Sequence, residues 1–218
     1  MPTVLSTKKL KENQRSLLIN AGITLVEYNA IKIDYEPFEI PTNIENAIFT
    51  SQNAVKSFFV KEPPANAVEN SYCVGEKTKH LLEENGQNVI KTTEYASELA
   101  DFLVKNHKND SFHFFCGNIR SDEIPSKLKE NNIIFEEIEV YKTTLNPKKF
   151  ERHFDGILFF SPSGIRSFLL ENKINNSKAI CIGNTTASEA KKHTENVVVS
   201  NSTTVESVIA KTVNLLKT

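Results

Sequence analysis

Residues 49–58 read FTSQNAVKSF, and residues 159–168, at an offset of 110, read FFSPSGIRSF. Each stretch places small polar residues directly after a short apolar run and ahead of an amphipathic one. Two further pairs of segments match in the same order and at nearly the same offset: 72–78 (YCVGEKT) with 180–186 (ICIGNTT), and 22–27 (GITLVE) with 132–137 (NIIFEE). Ordered self-similarity at half the chain length is the pattern of an internal duplication, and it predicts two copies of one unit of about 109 residues.

Each copy alternates short apolar runs with longer amphipathic ones. Strands of about five residues alternating with helices of about ten predict a parallel sheet covered by helices on both faces. The predicted fold class is therefore α/β, with one parallel-sheet lobe for each copy.

Two extended stretches, 28–41 and 138–147, occupy equivalent places in the two copies and predict paired connector strands between two lobes. In that arrangement residues 42–137 form lobe two, whereas 1–27 and 148–218 together form a discontinuous lobe one. Tandem domains divided near residue 109 are the alternative. The crossing arrangement creates a cleft between the lobes, which is the usual place for a small-molecule site.

The charge balance and the apolar runs narrow the class of protein. Lys and Arg number 26 against 27 Asp and Glu, which argues against bulk nucleic-acid or acidic-membrane binding. The longest apolar runs, such as 157–160, are far short of the roughly 18 residues of a membrane helix, and the first residues contain no signal-peptide core. We therefore expect a cytoplasmic protein, and the lack of a surface apolar stripe favours a monomer.

The cysteines and histidines predict no disulfide framework and no metal site. The three cysteines form no CxxC pair and lie in apolar, strand-like runs, and the five histidines show no HxxxH spacing. Buried small hydrophobic side chains are the simplest interpretation of such cysteines.

Small polar residues follow most of the predicted strands. Because ligands of open parallel sheets meet the carboxyl ends of the strands, where helix N-termini present N–H groups, these segments are candidate binding segments. They are 6–8, 50–53, 75–78, 117–120, 161–164 and 183–186. Any one of them is explained equally well as a helix cap, but six together favour a shared anion-binding role.

The motifs that the sequence lacks exclude several classes of ligand. The sequence contains no GxGxxG, no GxxxxGK[ST] and no GxSxG, and no paired carboxylates stand at strand ends. The predicted site thus consists of hydroxyls, amides and a few cations (Lys8, Lys77, Arg120 and Arg166). Such a site has no nucleophile, metal or cofactor. We expect it to bind a polyanion and to hold it in a particular conformation.

Five segments in order along the chain resemble the uroporphyrinogen-III synthase family: 49–55, 140–143, 160–164, 182–187 and 202–207. The resemblance implies two Rossmann-like or flavodoxin-like lobes joined by a two-stranded connector, with the site between them. It also implies cofactor-free closure of hydroxymethylbilane, a linear tetrapyrrole with eight carboxylates, to uroporphyrinogen III. Ring A loses its hydroxyl as water, ring D attacks through its substituted carbon, and a spiro intermediate reopens and recloses with ring D inverted.

The same resemblance implies roles for particular residues. Tyr141 matches the connector tyrosine that donates a hydrogen bond or a proton to the departing hydroxyl; its counterpart in the first copy is Ile31. The implied substrate-binding residues are Thr78, Thr186, Ser161, Ser163, Gly183, Thr185, Ser51, Asn53, Arg120 and Lys8. Members of the family often carry Thr-Arg-Pro after the first strand, where this chain has residues 7–9, TKK, so Lys8 replaces a bidentate arginine and Arg120 is the stronger candidate for carboxylate pairing.

Two other classes of protein remain open from the sequence. A non-enzymatic two-lobed binding protein for a small polyanion explains the duplication and the polar strand ends, but not a tyrosine at only one crossing. A glycosyl- or phosphoryl-transfer enzyme with two Rossmann-like lobes is the other, although about 109 residues per lobe leave little room for a nucleotide sugar.

Overall fold

The computed structural model describes residues 1–64 and 67–217. The strands are β1 (Thr3–Ser6), β2 (Thr24–Glu27), β3 (Ile31–Tyr35), β4 (Ile44–Phe49), β5 (Val68–Val74), β6 (Val89–Thr93), β7 (Ser111–Gly117), β8 (Ile134–Leu145), β9 (Gly156–Phe159), β10 (Lys178–Cys181) and β11 (Val197–Val199). The helices are α1 (Glu12–Asn20), α2 (Gln52–Val60), α3 (Glu76–Glu84), α4 (Ala96–Asn106), α5 (Glu123–Glu130), α6 (Pro162–Leu169), α7 (Asn184–Ala190) and α8 (Val205–Leu216). Contacts divide the chain into unit 1, Met1–Lys32 with Thr144–Thr218, and unit 2, Ile33–Thr143.

Unit 1 is built on a parallel sheet with strand order β11-β10-β9-β1-β2. Consecutive strand residues alternate between two apolar cores, because side chains along a strand point to opposite faces. Leu5 joins the core under α6 and α7, and its neighbour Val4 joins the core under α1 and α8. Helices therefore cover both faces of the sheet.

Unit 2 has the equivalent order β6-β5-β4-β7-β8, in which β6 is the counterpart of β11 and β8 the counterpart of β2. It adds β3 beside β8. Phe49 packs in the core under α2 and α3, whereas its neighbour Ile48 packs in the core under α4 and α5. The equivalent strand orders of the two units confirm the predicted α/β class with duplicated parallel sheets. Among the described helices, each is too short or too polar to span a bilayer.

Two strands cross the division between the units. β3 and β8 are hydrogen-bonded neighbours in one sheet, and each has residues on both sides of the boundaries at 32/33 and 143/144. β3 lies within the predicted stretch 28–41, and β8 overlaps the predicted stretch 138–147. β8 is longer than the stretch at 138–147, since it begins at Ile134 as an ordinary sheet strand paired with β7.

A buried carboxylate joins α6 to α7 in unit 1. Glu189 is 8% exposed, and its oxygens lie 3.2 Å from Arg166 Nε and 2.8 Å from Lys192 Nζ. The hydrogen bond from Lys192 is the main reason why the pKa of Glu189 lies below its ordinary value. The charged carboxylate therefore stabilises the folded state.

We expect Glu189→Gln to lower the free energy of unfolding at pH 7 by about 1–2 kcal/mol, because hydrogen bonds to a charged group are lost. The loss is no larger because the cationic partners are exposed and solvent screens the ion pairs. A carboxylate with a lowered folded-state pKa stabilises fully above its unfolded-state pKa, and that contribution is lost as the pH falls through the folded-state value. The difference from the parent chain should therefore shrink on acidification below pH 5.

Urea denaturation at pH 7 and pH 4 measures this difference, and Glu195→Gln, which removes an exposed carboxylate, is the control. A Glu189→Gln effect of equal size at both pH values would contradict the electrostatic explanation and leave only altered packing.

Candidate functional site

The strand orders place one topological switch point in each unit. In unit 2 it lies between β4 and β7, because the chain leaves β4 towards β5 on one side and leaves β7 towards β8 on the other. In unit 1 it lies between β9 and β1. In open parallel sheets, the crevice at the carboxyl ends of these two strands is where ligands bind.

Tyr141 reaches the switch point of unit 2 because β8 contains a bulge. β8 pairs with β7 so that Glu139 stands opposite Cys116, but Tyr141 stands opposite Gly117, which leaves Val140 as the extra residue. Val140 and Tyr141 are consecutive yet both pack in the core under α2 and α3. Without the bulge, the alternation of a strand would send Tyr141 to the other face of the sheet.

Neighbouring groups hold the bulge in place. The carbonyl oxygen of Val140 accepts hydrogen bonds from the Ser57 hydroxyl and, at 3.0 Å, from the Glu36 N–H. Beyond the bulge, Asn118 Oδ1 accepts from the Thr143 N–H at 2.8 Å, and Asn118 Nδ2 donates to the Thr143 carbonyl at 3.3 Å. The Asn118 amide thus extends the pairing of β8 past the end of β7.

The Tyr141 ring lies directly on the backbone of Gly117. A Cβ atom at Gly117 would stand 2.4 Å from Cζ of Tyr141 and within 3 Å of both Cε atoms. Tyr141 itself is 7% exposed. Glycine is therefore required at residue 117 for a close approach of the ring.

The Tyr141 side chain lies near Ser51, the N-cap residue of α2. Burial raises the pKa of Tyr141 above its ordinary value near 10, and the nearby Ser51 side chain opposes that rise. The phenol is therefore neutral at pH 7 and carries a proton that it can donate.

The switch point of unit 1 presents hydroxyls. Ser161 caps α6 by accepting a hydrogen bond from the Gly164 N–H at 3.0 Å. Thr7 is buried, and its hydroxyl donates to the Leu158 carbonyl at 2.7 Å. A Cβ at Gly164 would lie 3.4 Å from Ser161 Oγ and 3.5 Å from Thr7 Oγ1, so the three residues form one polar group.

Helices α3 and α7 begin alike, with a glycine at the N-cap and a buried threonine three residues later. The pairs are Gly75 with Thr78, and Gly183 with Thr186; the threonines are 5% and 3% exposed. A glycine N-cap has no side chain to accept from the first-turn N–H groups, so these groups are suitable donors for a carboxylate. The duplication therefore supplies an equivalent anion-compatible helix end in each unit.

The other predicted binding residues also follow strands, but their side chains differ in exposure. Ser163 and Asn53 are the second residues of α6 and α2; Ser163 is buried and Asn53 half-buried. Thr185 is exposed in the first turn of α7, and Lys8 is exposed after β1. Their binding of substrate stays a prediction.

Arg120 is already paired in the structure. Its guanidinium forms ion pairs with the carboxylates of Asp122 and Glu137. Binding of a substrate carboxylate by Arg120 stays a prediction, and it would require exchange of one of these partners.

The structure brings Tyr141 and Ser51 together, and it adds specific contacts of Gly117, Asn118 and Thr7, which the sequence analysis had placed only within the candidate binding segments 117–120 and 6–8. The consecutive apolar pair Val140–Tyr141, between the charged residues Glu139 and Lys142, is the signal that could have revealed the bulge. The contact of Gly117 with the ring carries no such local signal.

Comparison with known proteins gives concordant results. The family model described as uroporphyrinogen-III synthase HemD matches residues 13–210. A curated relative, "Porphyrin biosynthesis protein HemD" of Ruminiclostridium josui, is 29% identical over 188 residues, which cover 75% of this chain and 36% of the relative. The chain thus spans about a third of the length of that relative.

Two solved structures share the fold. Uroporphyrinogen-III synthetase from Helicobacter pylori is 20% identical with a TM-score of 0.71, and the match covers 99% of this chain and 100% of that one. A mutant uroporphyrinogen III synthase from Thermus thermophilus is 14% identical with a TM-score of 0.73, covering 100% of this chain and 99% of that one.

Proposed function

Because the chain belongs to the uroporphyrinogen-III synthase family, whose model matches residues 13–210, we propose that it closes hydroxymethylbilane to uroporphyrinogen III with loss of water and inversion of ring D. The observation that carries the proposal is the buried, neutral phenol of Tyr141 at the switch point of unit 2. The reaction needs a proton donor for a departing hydroxyl, and a phenol whose pKa exceeds 10 remains protonated until it is placed against a stronger base.

In the proposed reaction, Tyr141 assists the first bond cleavage. The C–O bond of the ring A hydroxymethyl group breaks, its electron pair leaves with oxygen, and the Tyr141 proton converts the leaving hydroxide into water. The pyrrole nitrogen of ring A supplies electrons to the carbon and keeps its proton, which gives a protonated azafulvene. The substituted carbon of ring D attacks that carbon and forms the spiro intermediate. The bond from this ring D carbon to the methylene of ring C then breaks and leaves a protonated azafulvene on ring C, whose methylene carbon is attacked by the unsubstituted α-carbon of ring D. The proton released on final aromatisation balances the proton taken from Tyr141.

Substrate binding in this proposal relies on fixed dipoles. The first-turn N–H groups of α3 and α7, with the hydroxyls of Thr78 and Thr186, are donors that suit carboxylates. In this proposal Thr185 and Gly183, at the start of α7, contribute further donors. So do Ser161 and Ser163, which follow β9, and Asn53, which follows β4. Backbone donors are fixed before substrate arrives, so they favour one substrate geometry without reorganisation.

Isomer analysis tests the proposal. Hydroxymethylbilane is generated in situ, the purified chain is added without metal or nucleotide, and the oxidised uroporphyrins are separated into types I and III. We expect type III to predominate in proportion to the amount of protein, whereas the reaction without protein gives type I. Type I alone at the spontaneous rate, together with tight binding of the substrate, would overturn the synthase proposal in favour of a polyanion-binding protein.

We propose that the chain acts as a monomer in a reducing compartment such as the cytoplasm. Its three cysteines are free thiols buried in the two units, which is the usual state of cysteines in reducing compartments. Light scattering at the assay concentration should give a mass of 24.6 kDa.

A further inference from the structure

The duplicated segments 49–58 and 159–168 share a serine within the helix, beyond the strand-end residues already described. Ser57 in α2 and Ser167 in α6 are 110 residues apart, and each lies six residues after the serine that caps its helix. Their side chains are buried, at 1% and 0% exposure. A buried hydroxyl needs a hydrogen-bond partner, and both serines find theirs outside their own helix, on β8 or its continuation.

Ser57 holds β8 at its bulge. Its hydroxyl donates to the carbonyl of Val140, the extra residue of the bulge. The same carbonyl accepts from the N–H of Glu36, the residue directly after β3, at 3.0 Å. Val140 has no opposite residue on β7, and two donors from elsewhere in unit 2 hold its carbonyl.

Ser167 holds the other end of the same strand. Its oxygen accepts from the N–H of Asn146, the residue directly after β8, at 3.1 Å. That N–H also donates to the carbonyl of Ala30, directly before β3, at 2.8 Å. The equivalent serines of the two copies therefore secure the two ends of the β3–β8 pair, each within its own unit. Ser57 acts on the residue next to Tyr141, whereas Ser167 acts beyond the end of β8.

This difference between the two serines gives Ser57 a role in catalysis. We propose that Ser57 is a positioning residue for Tyr141, which fixes the bulge of β8 and thereby the face of the sheet that the phenol occupies. The inference rests on the proposed function, in which Tyr141 is the proton donor. A shift of one residue in the pairing of β8 would send Tyr141 to the opposite face. In the bulged register the Val140 carbonyl meets Ser57, so the hydrogen bond favours this register over the shifted one.

Burial strengthens the effect of this hydrogen bond. Ser57 is 1% exposed and Val140 is 0% exposed, so solvent does not reach the carbonyl to replace a lost donor. Gly117 supports the same register, because the Tyr141 ring lies on its backbone in space that a side chain would fill. Contacts from α2 and from β7 thus favour the same placement of the phenol.

Matched substitutions in the two copies test this role. Ser57→Ala and Ser167→Ala each remove one buried hydroxyl from a helix, and alanine is the most favourable helix residue, so neither substitution weakens its helix. We expect Ser57→Ala to lower kcat for type III about 10-fold with little change in KM, because the phenol is in its place in fewer molecules. Ser167→Ala should lose a similar amount of thermal stability and keep kcat.

The ring resonance of Tyr141 provides a readout that does not depend on turnover. The five tyrosines are labelled with ¹³C at Cζ, and Tyr141→Phe assigns the resonance. Ser57→Ala should shift the Tyr141 signal or split it into two, since the ring leaves Gly117 in part of the molecules. Ser167→Ala should leave that signal unchanged. Ser57→Cys keeps a weak donor of similar size, so its kcat should lie between those of Ser57→Ala and the parent chain.

An unchanged Tyr141 resonance in Ser57→Ala would overturn the inference. An equal loss of kcat in Ser167→Ala would do the same, since the loss would then come from the β3–β8 pair in general. Where Ser57→Ala does not fold, Ser57→Cys provides the same comparison. If the parent chain gave only type I product, the synthase proposal would fail, but the Tyr141 resonance in Ser57→Ala would still decide whether Ser57 fixes the place of the phenol.

Discussion

Replacing Tyr141 by phenylalanine should lower kcat for type III uroporphyrinogen about 10²- to 10⁴-fold, which is the usual contribution of a positioned acid. The ring stays on Gly117 and the apolar contacts remain, so the loss comes from the missing proton. Because other groups bind the carboxylates in the proposed site, KM should change little. Initial rates of type III formation, corrected for spontaneous type I closure, measure the effect.

Tyr95→Phe is the control for this substitution, since it removes the hydroxyl of a side chain that is 54% exposed. The pH profile adds a second check. Burial raises the pKa of Tyr141, so the phenol keeps its proton at neutral and mildly alkaline pH, and deprotonation of this residue should not reduce kcat below pH 10. A Tyr141→Phe variant with parental kcat would exclude Tyr141 as the acid and leave it as a packing residue of β8.

Gly117→Ala should reduce kcat nearly as far as Tyr141→Phe does. The added methyl group would stand 2.4 Å from Cζ of Tyr141, so the ring must leave its place and carry its hydroxyl with it. Overfilling a packed site also costs about 1–3 kcal/mol of folding free energy. Steady-state kinetics and urea denaturation measure the two effects separately.

Gly86→Ala is the matched control in the same unit. Gly86 has φ of +75°, so alanine is strained there, but among the described residues no atom beyond the chain neighbours of Gly86 lies within 4 Å of the added methyl group. That variant should lose stability and keep kcat. In the double variant Gly117→Ala/Tyr141→Phe, the activity losses should not add, because both substitutions remove the same proton donor. Additive losses would mean that Gly117 acts on catalysis independently of Tyr141.

The duplication made the architecture predictable from the sequence. Matching segments at offsets of 108 and 110 predicted two equivalent parallel sheets, and the observed strand orders agree with that. Strand-end positions such as Ser51 and Ser161 were also predictable, because a polar residue between a strand and a helix must cap the helix or meet a ligand.

The contacts among these positions were not predictable in the same way. Ser51 and Tyr141 are 90 residues apart, and they meet only because β4 and β8 lie on either side of β7. The bulge at Val140 decides which face Tyr141 occupies, and a single inserted residue scarcely alters the apolar pattern of a strand. The ion pairs of Arg120 likewise depend on the register of β8, which brings Glu137 beside it.

The discontinuous composition of unit 1 has a consequence for synthesis of the chain. β1 pairs with β9 in the middle of its sheet, so β1, α1 and β2 lack a central neighbour until the ribosome has made residues 156–159. Unit 2 lies wholly within residues 33–143 and is complete before that point. At about 5–20 residues per second, the first segment waits roughly 7 to 26 seconds for its sheet. Folding during translation therefore begins with unit 2, and the residues that start the chain are among the last to become buried.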